Sequence, residues 1–212
     1  MKLGIDMGGM SIKMGLVNEE NKIIGRITIP TDLTVPYQTL VERMADAVRQ
    51  MLENAGMTLE QCGGIGIGSP GTIDAKQGVI LYSNNFGWEN VPIVEELKKH
   101  LDTRIEIAND ADAAALGEVC AGAAEGAENA VLLTLGTGVG SGVILDKKIF
   151  RGAMPGGCEL GHLSIRYDGI RCTCGRKGCL EAYASASALL RIAREKAAEH
   201  PESIMNEMCG ND

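Results

Sequence analysis

Hydrophobic and polar positions alternate in short runs over the first thirty residues, and then the period lengthens. Lys2–Asp6, Ser11–Val17 and Lys22–Pro30 each read as a short strand, separated by a glycine turn at Gly8 and Gly9 and by the polar turn Asn18–Asn21. Leu40, Met44, Val48, Met51, Leu52 and Ala55 then fall on one face at helical spacing, with Pro36 near the start and Gly56 as the stop. Gly63–Gly68 is a glycine-rich apolar strand. Ser69–Asn90 carries turn residues and the only tryptophan, Trp88, and reads as a long loop. A helix near Ile93–Leu101, a strand at Arg104–Ala108 and a helix capped by Asn109 or Asp110, running to about Gly122, follow.

The pattern then restarts. Ala130–Leu135 reads as a strand, Gly136–Gly140 as a turn, Ser141–Leu145 as a strand, Asp146–Lys148 as a turn and Ile149–Arg151 as the start of a third strand. Leu3–Val17 and Leu133–Leu145 share the order strand, glycine turn, strand, with Asp6 and Gly8 matching Gly136 and Gly138. This predicts an internal duplication, with one lobe over residues 1–122 and a second over 123–212. The second copy is unfinished: one helix, about Ser185–His200, is followed by a polar tail, Pro201–Asp212.

Composition narrows the class. Hydrophobic residues make up 45% and charged residues 23%, as in an ordinary globular protein. Aromatics are only 3%, so the core must be built from aliphatic side chains and methionine. The net charge of −8, with no basic stripe and few rings to stack on bases, argues against nucleic acid. No apolar run reaches the length of a membrane span, and no signal peptide opens the chain, so a soluble cytoplasmic protein is expected. Seven cysteines, an odd number, fit reduced thiols around one metal site better than a disulfide framework.

Three of those cysteines fall within eight residues. His162, Cys172, Cys174 and Cys179 give H-x9-C-x-C-x4-C, and three thiolates with one imidazole fill the four positions of a closed, structural zinc site. Gly175 and Gly178 lie where a tight turn must gather the sulfurs. Glu159 and Glu181 flank the cluster, as carboxylates that orient a polar ligand would. The plainer alternative is a turn that happens to hold reduced cysteines.

Two glycine hairpins, D-M-G-G-M-S-I-K at Asp6–Lys13 and G-T-G-V-G-S-G at Gly136–Gly142, could offer backbone N–H groups to a polyphosphate. Lys13 could reach a phosphate, and Asp6 could hold magnesium through water. Taken singly, such hairpins are usually only hairpins. Asn109–Asp110 is either an ordinary helix cap or an amide that positions a hydroxyl beside a carboxylate that accepts its proton. Asp74 and Asp112 are the competing carboxylates.

Six segments in order carry a resemblance. D-M-G-G-M at Asp6–Met10, G-I-G-S-P-G at Gly66–Gly71, N-D at Asn109–Asp110, L-G-T-G-V-G-S-G at Leu135–Gly142, E-L-G-H at Glu159–His162 and C-T-C-G-R-K-G-C-L-E at Cys172–Glu181 resemble the ROK family of sugar kinases and repressors, and most of all its glucokinases. The resemblance implies an α/β, actin-like ATPase fold of duplicated ribonuclease-H-like lobes, the second incomplete. It implies ATP and Mg2+ at Asp6, Gly8, Gly9, Ser11, Lys13, Gly136, Thr137 and Gly138, and a structural Zn2+. It implies Asp110 as catalytic base, and a hexose held by Gly71, Asn109, Asp110, Glu159, His162 and Glu181.

Two departures from the family pattern stand out. Met10 replaces the usual threonine of the first phosphate motif, leaving Ser11 to supply a hydroxyl, and family members continue well past residue 212. Glucose is the favoured sugar, with N-acetylmannosamine, fructose and allose open, and ATP or polyphosphate as donor. A repressor would need a DNA-binding winged helix ahead of residue 6, where there is no room. A sugar- and zinc-binding fragment with impaired catalysis is the other alternative. The unfinished lobe favours association of copies into a homo-oligomer.

Overall fold

A computed structural model describes residues 1–154, 156 and 158–209. By packing, the chain divides into two compact units, Met1–Leu132 with Gly142–Cys158, and Leu133–Ser141 with Glu159–Asp212. This partition differs from the sequential division at residues 122 and 123, which follows the repeat; the chain passes between the units three times.

In the first unit, β1 (Lys2–Met7), β2 (Ser11–Val17) and β3 (Ile23–Pro30) form an antiparallel meander, followed by α1 (Tyr37–Asn54). β4 (Ile65–Ser69) adds parallel to β1, with Leu3 opposite Ile65. Then come β5 (Thr72–Asp74), β6 (Val79–Ser83), β7 (Trp88–Val91) and α2 (Ile93–Lys98). β8 (Ile105–Asn109) runs parallel to β4, and α3 (Asp110–Ala121) leaves from its end. The main sheet has the order β3-β2-β1-β4-β8.

Period-2 alternation sends Leu3, Ile5 and Met7 of β1 and Ile12, Met14 and Leu16 of β2 into the core. The helical stripe of α1, including Leu40, Met44, Val48, Met51 and Leu52, joins them in one cluster that reaches Ile107. Losing one such side chain to alanine costs about 2–5 kcal/mol. Gly56 ends α1 at φ 65°: the Met57 N–H donates to the Leu52 carbonyl at 2.9 Å and the Gly56 N–H to Glu53 at 3.0 Å. That pairing satisfies carbonyls a helix end would otherwise leave bare.

The expected loop over 69–90 instead holds β5 and β6 and reaches into β7, and β5-β6-β7 form a small antiparallel sheet. Its strands are short, but Ile73, Ile80 and Val91 are buried, and tertiary packing overrides the turn-rich local sequence. The Asp74 carboxylate makes the turn, accepting from the Lys76 N–H at 3.0 Å and the Gln77 N–H at 3.1 Å.

The repeat restarts with β9 (Ala130–Leu135), β10 (Val139–Leu145) and β11 (Lys148–Ile149), in the order β11-β10-β9. One face of β9 meets α3: Ala130 and Leu132 pack on a small cluster of Ala115, Val119 and Ile144. The other face is open, with Val131 61%, Leu133 43% and Leu135 67% exposed. Among the described residues nothing pairs with the far edge of β9.

The second unit continues through α4 (Glu181–Ala184), α5 (Ala186–Glu199) and α6 (Ile204–Cys209). Ser185 caps α5, accepting from the Ala188 N–H at 3.0 Å. The tail expected to be merely polar contains α6. Among the described residues, the apolar side chains buried in this unit are Val139, Cys172, Cys179 and Ala188.

Candidate functional site: carboxylates, glycine hairpins and a cysteine–histidine knuckle

Asp6 and Lys13 sit opposite each other across β1 and β2, with Nζ 4.0 Å from Oδ2 and both side chains mostly exposed. Such a pair contributes little to stability and leaves both charges free to meet a ligand. The hairpin between them is built on Gly8, where a Cβ would lie 2.8 Å from the Ser11 carbonyl oxygen. Thr31 steadies it from β3's end: its hydroxyl donates to the Gly8 carbonyl at 2.6 Å. Gly9, Met10 and Ser11 complete the turn, and Met10 is 91% exposed.

At the end of β8, Asn109, one of the two caps the sequence offers, caps α3, and Asp110 is its first helical residue. Asn109 Oδ1 accepts from the Ala111 N–H at 2.9 Å and the Asp112 N–H at 3.4 Å, while its Nδ2 donates to the Gly71 carbonyl at 3.1 Å. Gly71 must be glycine, since its φ is 116° and a Cβ would run into the Tyr82 carbonyl. Cap and loop are thereby fixed to each other.

The three candidate carboxylates fare differently. Asp74 is spent on its turn. Asp112 is buried and accepts from Arg151 Nε at 3.1 Å. Burial pushes its carboxyl above the usual range, and Arg151 only partly offsets this. Asp110, at the first position of α3, is exposed, and its Oδ1 accepts from the Ala111 N–H at 2.9 Å.

In the second unit His162, Cys172, Cys174 and Cys179 come together, all four donor atoms lying within 4.8 Å of one another. Gly175 at φ 89° and Gly178 at φ 76° turn the chain between the sulfurs. The Cys172 N–H donates to the Arg176 carbonyl at 2.8 Å, and the Gly175 N–H to the Cys172 carbonyl at 3.0 Å. Cys174 and Cys179 Sγ are 3.7 Å apart, and Cys172 Sγ is 3.7 Å from His162 Nδ1. A tetrahedron with Zn–S bonds of about 2.3 Å has sulfur–sulfur edges of about 3.8 Å, so the donor set fits zinc. Backbone and side-chain hydrogen bonds from Arg176 hold the exposed Cys174 thiol down to about 6, and burial pushes Cys179 up to about 11.

Glu159 is exposed just before the turn that carries His162, where the His162 N–H donates to the Glu159 carbonyl at 3.0 Å. The Leu160 N–H donates to Ser141 Oγ at 2.8 Å, tying that turn to β10. Glu181 lies against the knuckle, with Oε1 4.0 Å from His162 Nδ1 and 3.6 Å from Cys172 Sγ.

The second glycine hairpin is closed by the Gly136 N–H donating to the Gly138 carbonyl at 3.0 Å. The start of α5 takes its other carbonyls, Ala186 N–H to Gly136 at 2.8 Å and Ser187 Oγ to Thr137 at 2.8 Å.

The structure thus joins Gly71 to Asn109, and His162, Cys172, Cys174 and Cys179 to Glu181. Sequence reasoning passed over Arg151, Ser141 and Thr31, whose partners lie 39, 19 and 23 residues away. No local spacing signals such pairs.

The ROK family model matches residues 2–212. The glucokinase of Thermotoga maritima is 37% identical over 210 residues, which are 99% of this chain and 65% of that protein. Among solved structures, the ROK hexokinase from Thermus thermophilus superposes with a TM-score of 0.82 at 33% identity, covering 99% of this chain and 70% of that one. A ROK family glucokinase from Streptomyces griseus, in complex with glucose and AMPPNP, gives 0.74 at 34% identity, covering 96% and 63%. This chain spans just under two thirds of the length of the Thermotoga maritima glucokinase. The fold is the α/β, actin-like ATPase fold of these sugar kinases, with the second lobe incomplete in this chain.

Proposed function

The chain belongs to the ROK family, and from that premise we propose that it serves the ATP-dependent phosphorylation of a hexose, with glucose to glucose 6-phosphate as the first candidate. The observation that carries the reading is the start of α3. Of the carboxylates Asp74, Asp110 and Asp112, the first is bound into a turn and the last into an ion pair, while Asp110 stands exposed beside a fixed Asn109. The Streptomyces griseus relative, crystallised with glucose and an ATP analogue, supports both ligands.

In this reading Asp110 accepts the proton of the sugar 6-hydroxyl as that oxygen forms its bond to the γ-phosphorus. The bond from the γ-phosphorus to the β–γ bridging oxygen breaks, and ADP leaves with the electron pair. Asn109, Gly71, Glu159, His162 and Glu181 bind sugar hydroxyls. Backbone N–H groups at Gly8, Gly9, Ser11, Gly136, Thr137 and Gly138 would bind the phosphates, with Lys13 as a further charge, and Asp6 would hold Mg2+. When bound, that ion would supply charge to neutralise the phosphoryl oxygens. Zn2+ held by His162, Cys172, Cys174 and Cys179 is structural, since all four positions are taken by protein.

Among the described residues no helix is long and apolar enough to cross a membrane. In this reading the protein works in the cytoplasm, as a homo-oligomer. A coupled assay for ADP release over glucose, N-acetylmannosamine, fructose and allose tests the reaction. Release with glucose above the rest is expected, and no sugar-dependent release from a chain extended to the relatives' full length overturns it. The open face of β9 favours a second reading, in which these 212 residues bind sugar and zinc but turn over poorly by themselves. Glucose binding by calorimetry without ADP release would select it.

A further inference from the structure

One carboxylate touches both the metal knuckle and the second glycine hairpin. Glu181 Oε2 accepts from the Val139 N–H at 3.0 Å, at the point where the hairpin enters β10. Its Oε1 faces the other way, accepting from the Thr173 hydroxyl at 3.3 Å beside Cys172 Sγ. The side chain is 18% exposed, and Val139 is buried. The hairpin is shaped around it, because a Cβ on Gly138 would collide with Glu181 Oε2. Gly161, beside His162, is likewise pressed on the Val139 carbonyl, which leaves no room for a Cβ. Val139 is therefore gripped on its N–H by Glu181, two residues after the last cysteine of the knuckle, and on its carbonyl side by Gly161, the residue before the histidine.

We propose that Glu181, besides the sugar contact proposed above, positions the 136–139 hairpin and makes its shape depend on the metal. Gathering His162 and the three cysteines fixes the turn that carries Glu181, and Glu181 fixes Val139 and the glycines before it. Among the described residues the unit holds few buried apolar side chains, so the turn that carries Glu181 otherwise rests on hydrogen bonds such as that from the Leu180 N–H to the Leu163 carbonyl at 2.9 Å, which four metal bonds would outweigh. The proposal rests on the zinc reading for its trigger and goes beyond it: a metal called structural would order a phosphate-binding loop, through one side chain, before any ligand arrives.

Amide hydrogen exchange at Val139, followed by NMR on the full chain, tests this, with zinc content measured in the same samples. Protection of the Val139 N–H is expected in the zinc-loaded parent, with exchange at least about tenfold faster after chelation. Glu181→Ala should exchange fast with zinc still bound and should be indifferent to chelation. Glu181→Gln, whose amide oxygen still accepts, should return toward the parent. Should Glu181→Ala fail to fold, Gly138→Ala changes no ligand, displaces the carboxylate and should expose the same amide. Val139 exchange unmoved by chelation in a parent that carried zinc, or parent-like protection in Glu181→Ala or Gly138→Ala, overturns the proposal. Absence of zinc from the parent would instead refute the metal reading. The variants would then decide the contact alone, equal exchange rates overturning it.

Discussion

Leu3 and Ile5 of β1 and Leu133 and Leu135 of β9 hold matching places in the two copies of the repeat, yet their surroundings are opposite. The first pair is 2% and 3% exposed, under α1 and beside β4; the second is 43% and 67% exposed. The pattern that drives one strand into a core leaves the other open, because alternation specifies which face must be covered and says nothing of what covers it. The first unit is consequently held by apolar clusters, a large one from Leu3 to Ile107 and a small one around Ile144. The second is held by polar and coordinating groups: the sulfur–imidazole knuckle, the Ser141 and Ser185 hydroxyls, and Glu181. Small assemblies without a core need such staples.

Metal removal should separate the two regions most sharply. On the proposed zinc reading, where a structural zinc contributes on the order of 10 kcal/mol to local folding, chelation or Cys174→Ser should abolish amide protection over 159–184 while β1, β4 and β8 keep theirs. Uniform loss in both units, or no loss in either, would break the contrast. Asp110→Asn probes chemistry with neither support disturbed. It keeps the helix start, so in a chain extended to the relatives' length turnover should fall about 100- to 10,000-fold with sugar affinity little changed. Near-normal turnover would remove Asp110 from the role.

A paired substitution sharpens the comparison itself. Leu3→Ala should cost about 2–5 kcal/mol in denaturant unfolding, whereas Leu133→Ala should stay within about 0.5 kcal/mol. Equal costs would mean that β9 is covered in solution. The smallest effect is expected from Leu135→Lys, which should leave stability unchanged and reduce self-association in sedimentation, as charge on an open strand does. Unaltered association would place the contact between copies elsewhere.

What could be read in the sequence follows the same line. The α1 stripe, its stop at Gly56 and the Asn109 cap were legible because each is settled within a few residues by periodicity or by a local hydrogen bond. The knuckle ligands were legible because the chain must bring Cys172, Cys174 and Cys179 close whatever else it does. β5, β6 and β7 were not, since runs such as T-I-D are too short to show a period, and Ile73, Ile80 and Val91 are buried by joining the large apolar cluster. The ion pair that occupies Asp112 could not be seen either, with Arg151 39 residues away. Nor could the tie between Glu181 and Val139, 42 residues apart, since Gly138, which makes room for it, reads in sequence only as part of a glycine hairpin.

Three passages of the backbone between the units have a consequence for how this protein can be cut and recombined. Neither unit is a contiguous stretch of gene: the hairpin Leu133–Ser141 belongs to one, and the segments on both sides of it to the other. A single nick at any passage leaves the pieces interlaced, so limited proteolysis should yield fragments that stay together until denatured. A crossover that swaps everything after residue 158 would transplant the knuckle without the hairpin that Glu181 grips. Exchanges that respect the architecture must carry both segments at once, which makes residues 133–141 and 159–184 a single heritable module written in two places.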